Sequence, residues 1–260
     1  LAVAPRFHQA ADWAGRLTAG AGVSEADGRF FPRGPWRPLT SNEITLLTSR
    51  PATDPEKDAE AGCLFQIPDH LRAAWWELLD RSVEAGGAAL PGFEGFTRQV
   101  AEFLRFKHME APPGLLMEAV VTAAGRCSMR SDPETGAPAG LGPSLPPWAA
   151  WPLPEGVVLP RLWAVVNLGD EDARLILIPH PIQDLAAHLA VRPPGRPPPA
   201  TVGELVGSFL REFPDGPPIR LRLGPGEGFR LPSGGLVLDA DATDKQEPDV
   251  LLLISEQPPA

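Results

Sequence analysis

The 260-residue chain has no tyrosine, two cysteines and five histidines. Without a phenol, tyrosine-based acid/base catalysis is excluded outright. Cys63 and Cys127 are too few for the several pairs that a chain of this length from an oxidising compartment usually carries, so both are expected to be reduced. No run approaches the roughly 20 apolar residues of a membrane span. Arg6, His8, Asp12 and Arg16 interrupt any apolar leader at the N-terminus, and the setting expected is cytoplasmic, away from membranes. Positive charge is also short: 23 Lys and Arg stand against 33 Asp and Glu, a net charge of -10. Phosphate-backbone binding rests on clustered cations, so nucleic acid is excluded as a partner.

What the chain does have is proline, 33 residues of it. Proline cannot donate to a sheet ladder and belongs in turns, edges and loops, so the fold is expected to be rich in connections. With 43% hydrophobic residues, enough apolar surface is present to offset ordering entropy, and a single domain over residues 1–260 is expected. Residues 1–114 read as an irregular N-terminal wrap followed by helices. Asp69 can cap the first helix, over 70–85, with Leu71, Trp75, Leu78, Leu79 and Val83 on one face, and Gly86-Gly87 ends it. The second covers residues 96–106, with Phe96, Val100, Phe103 and Leu104 turned inward. Residues 115–260 change to strand periodicity, with short runs at 115–123, 162–168, 174–178, 219–223, 228–231, 236–239 and 250–254. A helix over 201–212 opens on Thr201-x-x-Glu204, a capping-box pair, and residues 192–200 form an extended proline-rich connector. Seven short strands between Gly/Pro turns predict an all-β barrel or sandwich with helices outside it.

The last third of the chain holds Gly224-Pro225-Gly226-Glu227-Gly228-Phe229-Arg230-Leu231-Pro232, Leu236-Val237-Leu238-Asp239-Ala240-Asp241 and Glu247-Pro248-Asp249-Val250. Upstream stand Arg130-Ser131-Asp132-Pro133-Glu134-Thr135-Gly136, Gly140-Leu141 and Val165-Val166-Asn167-Leu168-Gly169. In order and spacing these segments resemble the iron(II)- and 2-oxoglutarate-dependent oxygenases of natural-product type. The resemblance covers roughly residues 115–255 and implies a double-stranded β-helix, a cupin-like jelly roll. It also implies a small-molecule pocket.

That family holds its metal with a His-x-Asp pair and a later histidine, a face that leaves positions open for co-substrate and oxygen. At the corresponding positions this chain has Gly142-Pro143-Ser144 and Leu238. From residue 231 onward Lys245 is the only base available to clamp a dicarboxylate. The expectation is therefore a divergent member of this fold that has lost iron binding, needs no cofactor, and binds or converts a small molecule in a biosynthetic pathway. The alternatives are an active oxygenase using Fe(II) and 2-oxoglutarate through unusual ligands, or a non-catalytic subunit partnering an active homologue; homo- and hetero-oligomers both stay open. Catalytic candidates are Arg130, pairing with a substrate anion, Ser144, hydrogen-bonding to it, and Asp239 or Asp241 as base. Gly142, Trp148, Asn167, Leu238 and Lys245 are expected to line the pocket.

Two further constellations read as ordinary structure. His108-Met109-Glu110 with His180, His188 and Arg192 has the residue types of a facial triad and clamp, but His180 stands between prolines and the set reads as polar loop residues. The acidic group Asp239, Asp241, Asp244, Glu247 and Asp249 lacks calcium-loop spacing and reads as a solvated turn partly balanced by Lys245.

Overall fold

The computed structural model describes residues 13, 15–26, 29–47, 62–84, 90, 92–106, 115–125, 162–189, 199, 201–231 and 236–256. The first part of the chain contributes β1 (Leu17–Ala19), β2 (Val23–Ala26), β3 (Arg29–Pro32), β4 (Arg37–Pro38), α1 (Ser41–Leu47) and β5 (Cys63–Gln66). Then come α2 (Asp69–Glu84), α3 (Phe93–Phe106), β6 (Leu115–Thr122), β7 (Leu162–Asn167) and β8 (Ala173–Pro181). The remainder is α4 (Ile182–Leu189), α5 (Val202–Glu212), β9 (Ile219–Leu223), β10 (Glu227–Arg230), β11 (Leu236–Ala240) and β12 (Asp249–Glu256). Among the described residues no helix is long and apolar enough to cross a membrane.

The architecture is mainly β, with two five-stranded antiparallel sheets. One runs β11-β8-β9-β1-β4 and the other β5-β10-β7-β12-β6; β2 and β3 pair separately. The period of two along β12 shows how the layers stack. Leu251 and Leu253 join the core shared by the two sheets, whereas Val250, Leu252 and Ile254 join the cluster of α2 and α3, which holds Leu71, Trp75, Phe96 and Val100. In the first sheet Leu175 pairs with Leu221 and Leu177 with Ile219, so these side chains share a face, while Arg174, Arg220 and Arg222 occupy the other. The leucine face is dry and meets Phe229, Leu251 and Leu253 of the second sheet. Each such side chain contributes roughly 1.5–3 kcal/mol when fully buried.

The N-terminal expectation needs correction. Residues 17–38 are not an irregular wrap: β1 pairs with β9 and β4 with β1, lengthening the first sheet, and β5 lengthens the second beside β10. These strands have two to four residues each, too short to show a period. A Thr-x-x-Glu signal was nonetheless available. Thr40 and Glu43 form a reciprocal capping box at α1: the Thr40 amide donates to Glu43 Oε2 at 2.8 Å and the Glu43 amide to Thr40 Oγ1 at 3.3 Å.

Arg37 grips the same carboxylate with both guanidinium nitrogens, at 2.7 and 2.8 Å. Chiefly through that hydrogen-bonded pair, the Glu43 carboxyl falls from 4.5 to about 2. A carboxyl whose folded value is depressed stabilises the fold above its unfolded value and loses that contribution as pH falls through the folded one. Stability from Glu43 should thus be complete above about pH 4.5 and drain away toward pH 2. Urea denaturation across that interval should show a shallower acid loss for Glu43→Gln than for the parent.

The later elements follow the sequence closely. The Thr201 side chain accepts from the Glu204 amide at 3.2 Å, and α5 buries Leu205, Val206, Phe209 and Leu210. α3 begins three residues earlier than expected, at Phe93, which stacks on Phe96. β8 is longer than its 174–178 core because a register shift opposite Leu236 and Val237 lets the strand absorb Pro179 and Pro181.

Gly22 fixes how the N-terminal strands meet the turn after α5. It has φ +114°, and an added Cβ would strike the Pro214 carbonyl and the Arg33 guanidinium. The Val23 amide donates to that same carbonyl at 2.7 Å. Gly22→Ala should therefore combine backbone strain of about 1–3 kcal/mol with loss of this closure, read as a lowered thermal midpoint.

Candidate functional site

The residues expected to line one pocket are distributed over three places. Leu238 sits on β11 opposite Leu177, fully buried on the dry face between the sheets. Asn167 ends β7, and all its polar atoms serve the backbone: Nδ2 donates to the Glu171 and Leu223 carbonyls at 2.8 and 3.0 Å, and Oδ1 accepts from the Gly169 amide at 2.9 Å. This amide ties the β7–β8 turn to β9 in the opposite sheet. Arg130, Gly142, Ser144 and Trp148 lie outside the described residues, as do His8, His108, Glu110, Arg192 and Cys127.

Asp239 is opposite Ile176, on the arginine face of the first sheet, and its Oδ1 accepts from the Ala240 amide at 2.8 Å. Asp241 follows the end of β11. Its Oδ2 is ion-paired with Arg220, and its Oδ1 accepts from the Thr243 amide and hydroxyl at 3.2 and 2.6 Å. Trp36 covers the Arg220 guanidinium at 3.9 Å, a cation–π contact shielded from water. Burial pulls the Arg220 guanidinium below its usual range, although Asp241 opposes the shift. Alongside, Arg174 pairs with Asp244 at 3.3 Å and Arg222 with Asp172 at 3.0 Å. All three arginines of this face are committed to carboxylates.

Lys245 is buried at the neighbouring end of the second sheet. Its ammonium group is paired with Asp249, donates to the Asp172 carbonyl at 3.0 Å, and lies 3.8 Å from Glu171. Burial pushes the Asp249 carboxyl up, against the pull of Lys245. The acidic group is a solvated turn only in part: Asp244 and Glu247 are exposed as expected, and the other three are not. Asp239, Asp241 and Asp249 are at most 1% exposed, because the strands that carry them turn these side chains against basic partners and backbone donors. Asn167 and Lys245 do come together around residues 171–172; Leu238 does not join them.

A cavity of about 380 Å³ opens elsewhere, where α4 and α5 cover the end of β8. His180 and His188 line it with Phe209 and Phe213, and the turn Pro214–Pro217 forms its rim. The two imidazole centroids are 5.0 Å apart, edge to face, and His180 meets the Phe209 ring at 5.5 Å. Neither histidine is a loop residue, since His180 lies in β8 and His188 in α4. The flanking prolines concealed this, although a histidine eight residues after another, both beside apolar runs, was visible.

The metal implied by the resemblance does not fit the described residues. Among them no three His, Cys, Asp or Glu side chains converge, and Leu238 offers an apolar side chain packed against Leu177. Residues 126–161 contain no histidine at all.

No family model matches the chain, and no curated protein matches it in sequence. One solved structure is similar, described as the Kdo hydroxylase KdoO, a non-heme Fe(II) alphaketoglutarate dependent dioxygenase in complex with cobalt(II). The TM-score is 0.38 and the identity 12%, over 77% of this chain and 80% of that one. That neighbour is described with iron and alphaketoglutarate, contrary to the expectation that no cofactor is involved.

Proposed function

We propose that the chain forms the double-stranded β-helix of the oxygenase type and that it binds a small organic anion at the mouth of that barrel. The observation that supports this reading is the nesting of its antiparallel pairs. β8 pairs with β9, β7 with β10 and β6 with β12, each pair enclosing the one before it along the chain. Such nested pairs are what results when one long hairpin is rolled into a jelly roll. Among the described residues β11 pairs with β8 alone, and residues 126–161, between β6 and β7, lie outside them.

That stretch carries Arg130, Gly142, Ser144 and Trp148. Arg130 then supplies the cation for the ligand, since Arg174, Arg220 and Arg222 are already paired, and Ser144 donates a hydrogen bond to the same anion.

Calorimetry on the full chain with 2-oxoglutarate as the probe anion tests the reading. Saturable binding that weakens about tenfold or more in Arg130→Ala is expected, in line with the loss of one charge-assisted contact. Unchanged affinity in that variant, or no binding of 2-oxoglutarate and succinate by the folded parent, overturns it.

A further inference from the structure

We propose that α4 is an acid-released cover: proton uptake by His180 and His188, which meet at the joint between β8 and α4, lifts this helix from the end of β8 and widens the cavity beside it.

The joint is built to keep both rings neutral. The imidazole centroids are 5.0 Å apart, and the Phe209 ring closes the couple at 5.5 Å from His180 and 6.0 Å from His188. Both residues border the cavity, but His180 Nδ1 and His188 Nε2 are shut off from it and from solvent, and among the described residues neither has a hydrogen-bond partner. A neutral imidazole carries one hydrogen and can hold it on its other nitrogen, which leaves the enclosed one as a bare acceptor. The imidazolium carries a hydrogen on both. Its enclosed N–H then points where no acceptor waits, a state that favours any arrangement giving it a partner. Two cations at this separation also repel each other, in surroundings that Phe209 keeps apolar.

Neighbouring charges do not answer the new ones. On α4, Asp184 draws a proton toward His180, but burial first and His188 second outweigh it and hold the His180 imidazole below its ordinary value. Glu212 of α5 and Asp215 of the following turn are exposed to water; Asp215 is held by Arg33, and Arg211 of α5 by Glu25. β8 brings Pro179 and Pro181 beside His180, β11 brings Leu236 and Val237, and β9 reaches only as far as Leu177, through Ile219. An imidazole lowered in the folded state contributes stability above its unfolded value and loses it as pH falls through the folded one. The release therefore acts in the mildly acidic range below about pH 6.5, well above the interval in which Glu43 loses its pairing. It is local because α4 can leave without breaking a strand ladder. The helix has eight residues and docks through Leu185 and Leu189, and β8 pairs with β9 only over residues 173–177, short of His180.

Hydrogen exchange of the full chain, corrected for the intrinsic pH dependence of amide exchange, tests the proposal. One proton taken up per opening raises the opening constant about tenfold per pH unit, and two raise it up to about a hundredfold. Amides of residues 182–189 should thus open at least about tenfold more at about pH 5.5 than at about pH 7, while those of β9 and β12 stay protected. In the double variant His180→Phe with His188→Phe that ratio should fall to about one, since no proton is then taken up at the joint. Where the variant fails to fold, proton–carbon NMR of the parent imidazoles decides: the His180 signal should titrate below the free-histidine value, in step with the opening of α4. Acid-insensitive α4 amides, equal loss of protection in β9 and β12, an undiminished response in the double variant, or His180 titration at or above the free-histidine value overturns the proposal.

Discussion

Replacing Lys245 with alanine should destabilise the protein by about 3–5 kcal/mol, the usual consequence of leaving one member of a buried ion pair alone. The Lys245 side chain is 5% exposed and that of Asp249 1%, so water cannot take over the lost contact. Asp249 Oδ2 already lacks a hydrogen-bond partner, so the carboxylate depends on its single bonded oxygen. The pH dependence carries a definite sign. Burial raises the folded Asp249 value, and without Lys245 that value rises further. A carboxyl raised in the folded state favours folding when protonated and loses that contribution as pH climbs through its folded value. Urea denaturation of Lys245→Ala should therefore show its largest deficit at neutral pH and a smaller one at mildly acidic pH. The double variant Lys245→Met with Asp249→Leu should recover most of the loss, because two apolar side chains carry no desolvation penalty. A deficit below about 1 kcal/mol in the single variant, the size of an exposed pair, would show that Asp249 reaches solvent.

The same residues show what could be read from the amino-acid order and what could not. Apolar patterning revealed the long elements: the stripe Leu71, Trp75 and Leu78 marks α2, and the unbroken apolar run 250–254, buried on both faces, marks β12. It was silent on β1, β4 and β5, which are held by pairing with β9, β1 and β10 rather than by a pattern of their own. Asp241 resembled a surface acid because its partner is distant in sequence: Arg220 on β9 reaches it past the intervening β8. Lys245 was identified as special, yet the feature that makes it so is a local partner four residues away. Prolines around His180 resembled a loop because a bulge that accommodates them leaves no mark in composition.

Trp75→Ala should cost about 3–5 kcal/mol, the range for deleting a large buried aromatic. Trp75 is 1% exposed on α2 and meets Phe96 at 5.6 Å and Phe93 at 6.4 Å, in the cluster that covers the outer face of the second sheet. Removing it opens a cavity between α2, α3 and the strands carrying Val166 and Leu252, and those neighbours are too constrained by their ladders to refill it. The adjacent Trp76 is only half-buried, so Trp76→Ala should cost about 1 kcal/mol, an average substitution. Trp75→Phe separates two opposing effects. The shorter ring leaves a void, but it also removes Nε1, a buried donor with no acceptor. An unpaired buried donor costs about 1–3 kcal/mol, which offsets much of the lost packing. The net penalty for Trp75→Phe should thus stay below about 1.5 kcal/mol, as for a near-isosteric exchange. Denaturation midpoints of the three variants at equal slope decide it. If Trp75→Phe proves as damaging as Trp75→Ala, the indole N–H is paired in solution and this cluster packs differently from the arrangement described.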